Sequence, residues 1–400
     1  RVWKSHVRID KSIPELRMCG MPGRGTMTAS AFDFRIRAFA VAVRRTPVAT
    51  PVRTSFGVMR DRPAVFLRVT DEAGRHGYGE VWCNFPTVAA EHRARLAGEV
   101  VGPLLADLQP QAGGPVYARL MERLHVLAIQ SGEWGPLRQV SAGFDAAVHD
   151  LAARRAGLPL YRFLGGEAAR PRIAAYASGI GPETPGATAR AAARAGHRAF
   201  KVKVGFGRQT DLASLEAMRD AIGPDATLMG DANQGWTIED ALALGSEYAA
   251  FGLAWLEEPL RADRPVEEWC RLASGLPFPL AAGENINALA DFEAMMEAGA
   301  VGYVQPDLAK WGGVSGCLDV ARRARRRGLV YCPHFLGAGV GLVASAHVLA
   351  AQGGDGLLEM DVNPNPLRDD LTAALLAVED GTVTLRDEPG LGLAPDHLFD

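Results

Sequence analysis

Three carboxylates stand at near-even intervals along the chain: Asp231 in Leu-Met-Gly-Asp-Ala-Asn, Glu257 in Ala-Trp-Leu-Glu-Glu-Pro and Glu284 in Ala-Ala-Gly-Glu-Asn. Ahead of them lie Lys201 and Lys203 in Phe-Lys-Val-Lys-Val; behind them come Asp307 in Val-Gln-Pro-Asp, His334 in Cys-Pro-His-Phe and Glu359 in Leu-Leu-Glu. Carboxylates are hard oxygen ligands, and three around one point suit Mg²⁺, which favours octahedral oxygen ligation and keeps water or substrate oxygens. A single such residue would as readily cap the next helix, but three in register favour the metal. Lys201 and Lys203 are two apart on a strand and so share a face. With Val202 packed outward both enter the interior, Lys203 as base and Lys201 as its electrostatic neighbour, the cation and the metal together lowering the pKa of the base. Asp307 and His334 have the composition of a dyad in which a carboxylate orients an imidazole for acid–base work. Glu359 is expected to donate a hydrogen bond or to brace a substrate carboxylate. Asn233 either supports the metal site or caps a turn, and the two readings stand level.

These residues need a scaffold that brings strand ends together. From Lys203 onward the polar positions are separated by 28, 26, 27, 23 and 27 residues. Each ends a short run of β-formers and small residues, and a segment of helical periodicity follows it. One strand, one helix and two loops take about that many residues in a (β/α) barrel of about 250 residues. Eight strand candidates can be counted, from Ile173–Ser178 to Gly356–Glu359, with nearly continuous apolar runs as parallel strands buried on both faces require. The fold class expected is therefore α/β, a TIM-type barrel whose strand ends converge on one mouth.

The preceding region is organised differently. Strands are expected at Phe34–Val41, at Ala64–Thr70 and from Gly77, with a Pro/Thr/Ser/Gly-rich loop over Thr46–Gly57 between the first two. Helical patterns then run over 87–108, 116–128 and 139–155, and this segregated order indicates an α+β domain. Residues 1–26, which show no sustained periodicity, are expected to form a mobile leader. The division expected is a leader over 1–26, an α+β domain over 27–165, a barrel over 166–362 and a C-terminal segment over 363–400 that returns to the first domain.

Composition excludes several classes. The chain is 48% hydrophobic and 22% charged, as for an ordinary globular protein. A formal charge of −3 gives no electrostatic reason to expect nucleic acid or an anionic membrane as partner. The apolar run Leu336–Ala351 is interrupted by Ser345 and His347 and is expected as a buried helix, not a membrane span. Five scattered cysteines without a Cys-x-x-Cys pair suit reduced thiols in a cytoplasmic protein.

The order Lys-x-Lys, Asp, Glu, Glu, Asp, His, Glu resembles the enolase superfamily, and within it the mandelate racemase subgroup. The resemblance runs from about Phe32 to the C-terminus and includes the pre-barrel segment Phe144-Asp145-Ala146-Ala147-Val148-His149-Asp150-Leu151. It implies a capping α+β domain, a modified (β/α)7β TIM barrel, and Mg²⁺ held by Asp231, Glu257 and Glu284. It further implies Lys203 and His334 as bases on opposite faces of a carboxylate substrate, Asp307 as partner of His334, Glu359 as hydrogen-bond donor, and assembly into a homo-oligomer. The muconate-lactonizing subgroup shares the Lys-x-Lys pair but places a Lys where this chain has Asp307, and Lys310 falls three residues later.

The reaction implied is removal of the weakly acidic proton α to a carboxylate, with metal and cations neutralising the developing dianion. Its outcome is a sugar-acid dehydratase if His334 protonates a departing β-hydroxyl, a racemase or epimerase if it reprotonates the α-carbon, and a cycloisomerase if a ring oxygen leaves or adds. Substrate choice is expected in the first domain, around Arg53 and Trp82. Two other classes compete: a catalytically silent barrel with a binding role, and a phosphate-binding barrel using the Gly-rich stretch 337–341.

Overall fold

The computed structural model describes residues 2–5, 32–54, 57–108 and 116–400, with side chains at all of these except 2–5, 49, 50, 53 and 54. The first domain is a four-stranded antiparallel sheet, β1 (Val2–Ser5), β2 (Ile36–Thr54), β3 (Gly57–Asp71) and β4 (His76–Val81), in that order. It carries α1 (Ala89–Leu96), α2 (Gly102–Leu108), α3 (Val116–Ser131), α4 (Trp134–Arg155) and α5 (Leu160–Gly165).

Both faces of this sheet are buried, which explains why its strands lose polar alternation beyond Arg37. Phe39, Val41, Val65, Leu67 and Val69 pack on the helices α1–α4. Ala40, Ala42, Phe66 and Tyr78 point the other way, into a core shared with the barrel residues Phe335 and Val340. The first domain is thus packed down on the barrel as a cap. Close approach makes this possible: a Cβ on Gly79 in β4 would stand 2.0 Å from the carbonyl oxygen of Gly143 in α4.

Two expectations about this region are corrected. Val2–Ser5 pairs antiparallel with Phe39–Ala42, so those four residues of the supposed leader extend the cap sheet; residues 6–31 lie outside the described residues. The supposed loop 46–57 is the end of a long hairpin, with Val52, Arg53 and Thr54 paired to Met59, Val58 and Gly57. The prolines that suggested a loop fall where the register shifts between Pro47 and Val52, a place where a missing backbone N–H is tolerated.

The barrel alternates β5 (Arg172–Ile180), α6 (Pro185–Arg194), β6 (Ala199–Lys203), α7 (Arg208–Ile222), β7 (Thr227–Asp231), α8 (Ile238–Tyr248), β8 (Leu253–Glu257), α9 (Val266–Gly275) and β9 (Leu280–Ala282). It continues with α10 (Leu289–Glu297), β10 (Tyr303–Val304), α11 (Gly313–Arg326), β11 (Val330–Tyr331), α12 (Gly339–Gln352) and β12 (Leu357–Asp361). Parallel ladders link β5 through β11 in order, and β12 returns to pair with β5, so eight strands and seven intervening helices make a nearly closed (β/α)7β barrel. The helix expected from the run 336–351 is α12, and every residue in it is buried. Among the described residues no helix is long and apolar enough to cross a membrane.

After β12 come α13 (Pro366–Thr372) and β13 (Thr382–Thr384), which runs antiparallel to the start of β5. The C-terminal segment therefore first adds to the barrel and only then reaches the cap, where Asp396 pairs with Arg68 and Phe399 packs against Tyr78.

Candidate active site at the barrel mouth

Inside the barrel the side chains form two layers, as alternation along parallel strands dictates. The lower layer is apolar and plugs the barrel: Tyr176, Ala199, Met229, Trp255, Ala281 and Cys332. The layer above it is polar. Val202 packs outward against the helices, so Lys201 and Lys203 do face inward.

Lys201 is wholly buried, with its Nζ 2.5 and 2.6 Å from the two oxygens of Glu257 and 2.8 Å from Glu359 Oε1. Burial works against this charge, but Glu257 and Glu359 outweigh it and hold the amine well above its ordinary pKa. Lys203 Nζ lies 2.5 Å from Asp231 Oδ2. Burial and Lys201 pull its pKa down, yet Asp231 raises it further, so the depression expected from its neighbours is reversed while Asp231 is its partner.

The imidazole of His334 is gripped at both nitrogens, Nδ1 at 2.8 Å from Asp307 Oδ2 and Nε2 at 2.8 Å from Glu284 Oε2. Burial opposes the imidazolium, but Glu284 and Glu359 together with these bonds keep its pKa well above 6.5. Glu359 is held by the chain itself. Its Oε1 accepts from Ser178 Oγ at 2.5 Å and its Oε2 from the Phe335 amide at 3.0 Å. Burial favours the neutral acid, but Lys201 and His334 bring its pKa down to about 2. In this arrangement Glu359 is an ionised acceptor.

Asp231, Glu257 and Glu284 come from the ends of three consecutive strands, and Asp231 and Glu257 are paired neighbours in the β7–β8 ladder. Each is turned onto a cation of the chain, namely Lys203, Lys201, and His334 with Lys310. Among the described residues no three acidic, His or Cys side chains are therefore arranged to hold a metal ion as they stand. As a donor set they fit a hard divalent cation. Glu258 beside them is buried, and its Oε1 has no hydrogen-bond partner. Asn233 sits on a turn with φ +43°, its amide bonded to Asp231 Oδ1 at 2.9 Å, so it serves to fix that carboxylate. Trp82 follows β4 and reaches the rim, where Lys310 Nζ stands 4.9 Å over its ring. The Arg53 side chain lies outside the described residues.

Sequence reasoning missed Ser178, Gln305 and Lys310. Gln305 Nε2 bonds Glu257 at 2.7 Å, and Lys310 Nζ lies 2.8 Å from Asn285 Oδ1 and 3.4 Å from Glu284. Gln305 precedes Pro306-Asp307 and Ser178 ends a counted strand, so strand-end position could have flagged both. The Gly-rich stretch 337–341 is not free for a phosphate. The carboxylate of Glu80, from cap strand β4, fills it, with Oε1 accepting from Ala338 N at 2.6 Å and Oε2 from Gly341 N at 2.9 Å.

Residues 35–165 match the family described as Mandelate racemase / muconate lactonizing enzyme, N-terminal domain, and residues 186–398 match the family Enolase C-terminal domain-like. The chain belongs to the enolase superfamily. Within this superfamily it is similar to D-galactarolactone cycloisomerase of Agrobacterium fabrum, 32% identical over 359 residues, 86% of this chain and 92% of that protein. A mandelate racemase/muconate lactonizing enzyme from Bordetella bronchiseptica RB50 has a crystal structure that superposes with a TM-score of 0.81 at 48% identity, covering 90% of this chain and 97% of that one. A crystal structure of L-talarate/galactarate dehydratase, liganded with Mg and L-glucarate, superposes with a TM-score of 0.78 at 26% identity, covering 96% of this chain and 95% of that one. The enolase-superfamily chain described here is accordingly an enzyme, a lyase or an isomerase.

Proposed function

We propose that this enzyme removes the proton α to the carboxylate of a sugar acid, and that the outcome is dehydration to a 2-keto-3-deoxy acid. The observation that carries the reading is His334, held by Asp307 through Nδ1 and meeting the metal-ligand candidate Glu284 at Nε2, in a barrel that also presents Lys203 from a distant strand. Asp231, Glu257 and Glu284 would hold Mg²⁺, which supplies counter-charge to the dianion that develops as the α-proton leaves.

The chain's own residues do the rest. Lys203 takes the α-proton, and Lys201 orients the substrate carboxylate. His334 delivers a proton from Nε2 to the β-hydroxyl, which leaves as water, and the resulting enol tautomerises to the ketone. Asp307 fixes the tautomer and charges the imidazole. Ser178 and the Phe335 amide hold Glu359 in place.

The similarity to a D-galactarolactone cycloisomerase favours a second reading, in which a ring oxygen leaves or adds in place of the hydroxyl. Racemisation or epimerisation follows if His334 returns its proton to the α-carbon. Proton NMR with Mg²⁺ in D₂O against C4 to C6 aldonic, uronic and aldaric acids tests these readings. A 2-keto-3-deoxy product supports dehydration, and deuterium at the α-carbon without loss of water supports the isomerase readings. No change in any acid overturns the substrate class. The same reading makes the enzyme a cytoplasmic homo-oligomer, and sedimentation velocity tests the assembly.

A further inference from the structure

Helices α11 and α12 follow the two strands whose loops carry Asp307 and His334. A helix leaves its first N–H groups without partners, and the usual remedy is an oxygen on the residue just before it. Here those residues are Gly312 and Ala338, which have none. Both deficits are met from the cap, and at the same position. Glu80 Oε2 accepts from Gly341, the third residue of α12, while its Oε1 takes the preceding Ala338 amide. Asp145, in cap helix α4, accepts from the amide and the hydroxyl of Ser315, the third residue of α11, each at 2.9 Å.

Both carboxylates are buried, and burial opposes the charge on each: His149 and the backbone amides still hold Asp145 below its ordinary pKa, where the helix dipole favours an anion, while Glu80 is pushed up to about 7 despite the Gly341 and Ala338 amides. The local chain is shaped for the fit. At Gly313, with φ +58°, a Cβ would stand 2.5 Å from Asp145 Oδ2. The loop leading from His334 to α12 is tied further by Asn84 Nδ2 on the Leu336 carbonyl at 2.5 Å, so the cap segment 80–84 holds it twice. Asp307 and His334 lie six and five residues before their helices.

We propose that Glu80 and Asp145 are positioning residues of the Asp307–His334 dyad, and that the cap sets the geometry of the barrel's acid–base pair by supplying the carboxylate acceptors at the N-termini of α11 and α12. Neither touches the reacting atoms. Loss of either carboxylate lets its helix start and the loop before it relax, and the two loops are where the imidazole and its carboxylate partner are anchored.

The proposal rests on reading His334 as an acid–base group, but its test needs no substrate. The full chain, labelled with ring-¹⁵N histidine, is examined by long-range ¹H–¹⁵N spectra, and His334→Asn assigns the ring signals. Glu80→Gln and Asp145→Asn are expected to shift the His334 ring nitrogens and to broaden or remove the Nδ1–H signal shared with Asp307. Asp71→Asn serves as control, because Asp71 is a buried cap carboxylate bonded, among the described residues, only within the cap, to Arg75, Arg155 and the turn amides. It is expected to leave those signals in place. On any acid that is turned over, the two variants should lower kcat at least tenfold with KM within about twofold.

If Glu80→Gln fails to fold, Glu80→Asp, which keeps the charge but draws it back, carries the same measurement. His334 signals in Glu80→Gln and Asp145→Asn that coincide with those of the parent overturn the proposal. So does an equal displacement in Asp71→Asn, which would make the effect general destabilisation. Ring signals that move in an enzyme inactive on every acid leave the clamp standing and sink only the substrate reading.

Discussion

Lys203 Nζ lies 2.5 Å from Asp231 Oδ2, and the two residues face each other across the β6–β7 ladder. The amine proposed as base and a carboxylate proposed as metal ligand are therefore competitors for each other. A divalent ion and the Lys203 ammonium cannot both hold that oxygen at full strength, and removing the cation should help the metal. Lys203→Met is expected to bind Mg²⁺ more tightly than the parent and Asp231→Asn far more weakly, by more than the about 10–100-fold that an outer-shell partner controls. Isothermal titration with Mg²⁺ reads both, and equal affinity in parent and Lys203→Met would show that the ion pair does not oppose the metal.

Turnover should depend on both bases and on the partner of one of them. Lys203→Ala and His334→Ala are each expected to lower kcat by about 10²–10⁴, the usual contribution of positioned acid–base groups. Asp307→Asn should fall in the same range, because an amide no longer dictates which ring nitrogen carries the proton. EDTA should abolish activity and Mg²⁺ restore it. Activity that survives dialysis against EDTA would remove the metal from the mechanism.

Arg62 of the cap and Asp361 of β12 form an ion pair at 2.6 Å, both nearly inaccessible, with Arg368 at 3.3 Å on the same carboxylate oxygen. Asp361→Ala leaves two guanidinium groups buried without that anion. Breaking one side of such a pair costs about 3–5 kcal/mol, and the loss is expected as a lower urea midpoint. An unchanged midpoint would mean that water takes over the role of the carboxylate.

Two buried imidazoles should lower stability as pH falls, against the opposite contribution of His334 and His149, whose pKa values are held up. Burial pushes the His347 imidazole, whose Nδ1 accepts from the Tyr161 amide, down to about 3, and pushes His197 down to about 4. The unfolded chain, with ordinary values near 6.5, takes up these protons first. Their contribution is thus complete above about pH 6.5 and is lost as pH falls toward the folded values, at about 1.4 kcal/mol per proton per pH unit. Urea titrations between pH 7 and pH 5 read the net slope, and His347→Gln should lower it relative to the parent by close to one proton. An identical slope in the variant would assign the acid sensitivity elsewhere.

Gly79→Ala tests how closely β4 lies on α4. The added methyl would meet the Gly143 carbonyl oxygen at 2.0 Å, and backbone atoms of a strand and a buried helix give little. Overpacking of this kind costs about 1–3 kcal/mol, visible as a lower Tm, and a Tm equal to the parent would show that the two elements can separate freely.

Much of the barrel was legible because burial writes itself into local sequence. Strands covered on both faces read as apolar runs, so Asp231, Glu257 and Glu284 stood out at their ends, and the β-period alone placed Lys201 and Lys203 on one face. What escaped depends on segments distant in sequence. Glu80 and Ala338 are 258 residues apart, and Asp145 and Ser315 are 170 apart. Nothing beside Glu80 in Gly-Tyr-Gly-Glu-Val announces a partner. The loop assigned to Thr46–Gly57 failed for another reason, since Pro47 and Pro51 carry the same turn signal whether they end a ladder or sit at a shift within it. Whether Glu359 donates or accepts could not be read from spacing, because its ionisation here depends on Lys201 and His334, neighbours in space whose side chains a spacing argument cannot aim.

The carboxylates that α4 and β4 extend into α11 and α12 bear on how such enzymes diversify. A cap grafted from another member of the superfamily would have to present two acids at matching depth, or leave two helix starts inside the protein without their counter-charge. Wholesale exchange of the cap is therefore a poor route to new specificity. Change confined to the hairpin end near Arg53, or to the rim at Trp82, leaves both acids where they are, and the fold directs evolutionary tinkering to those few positions.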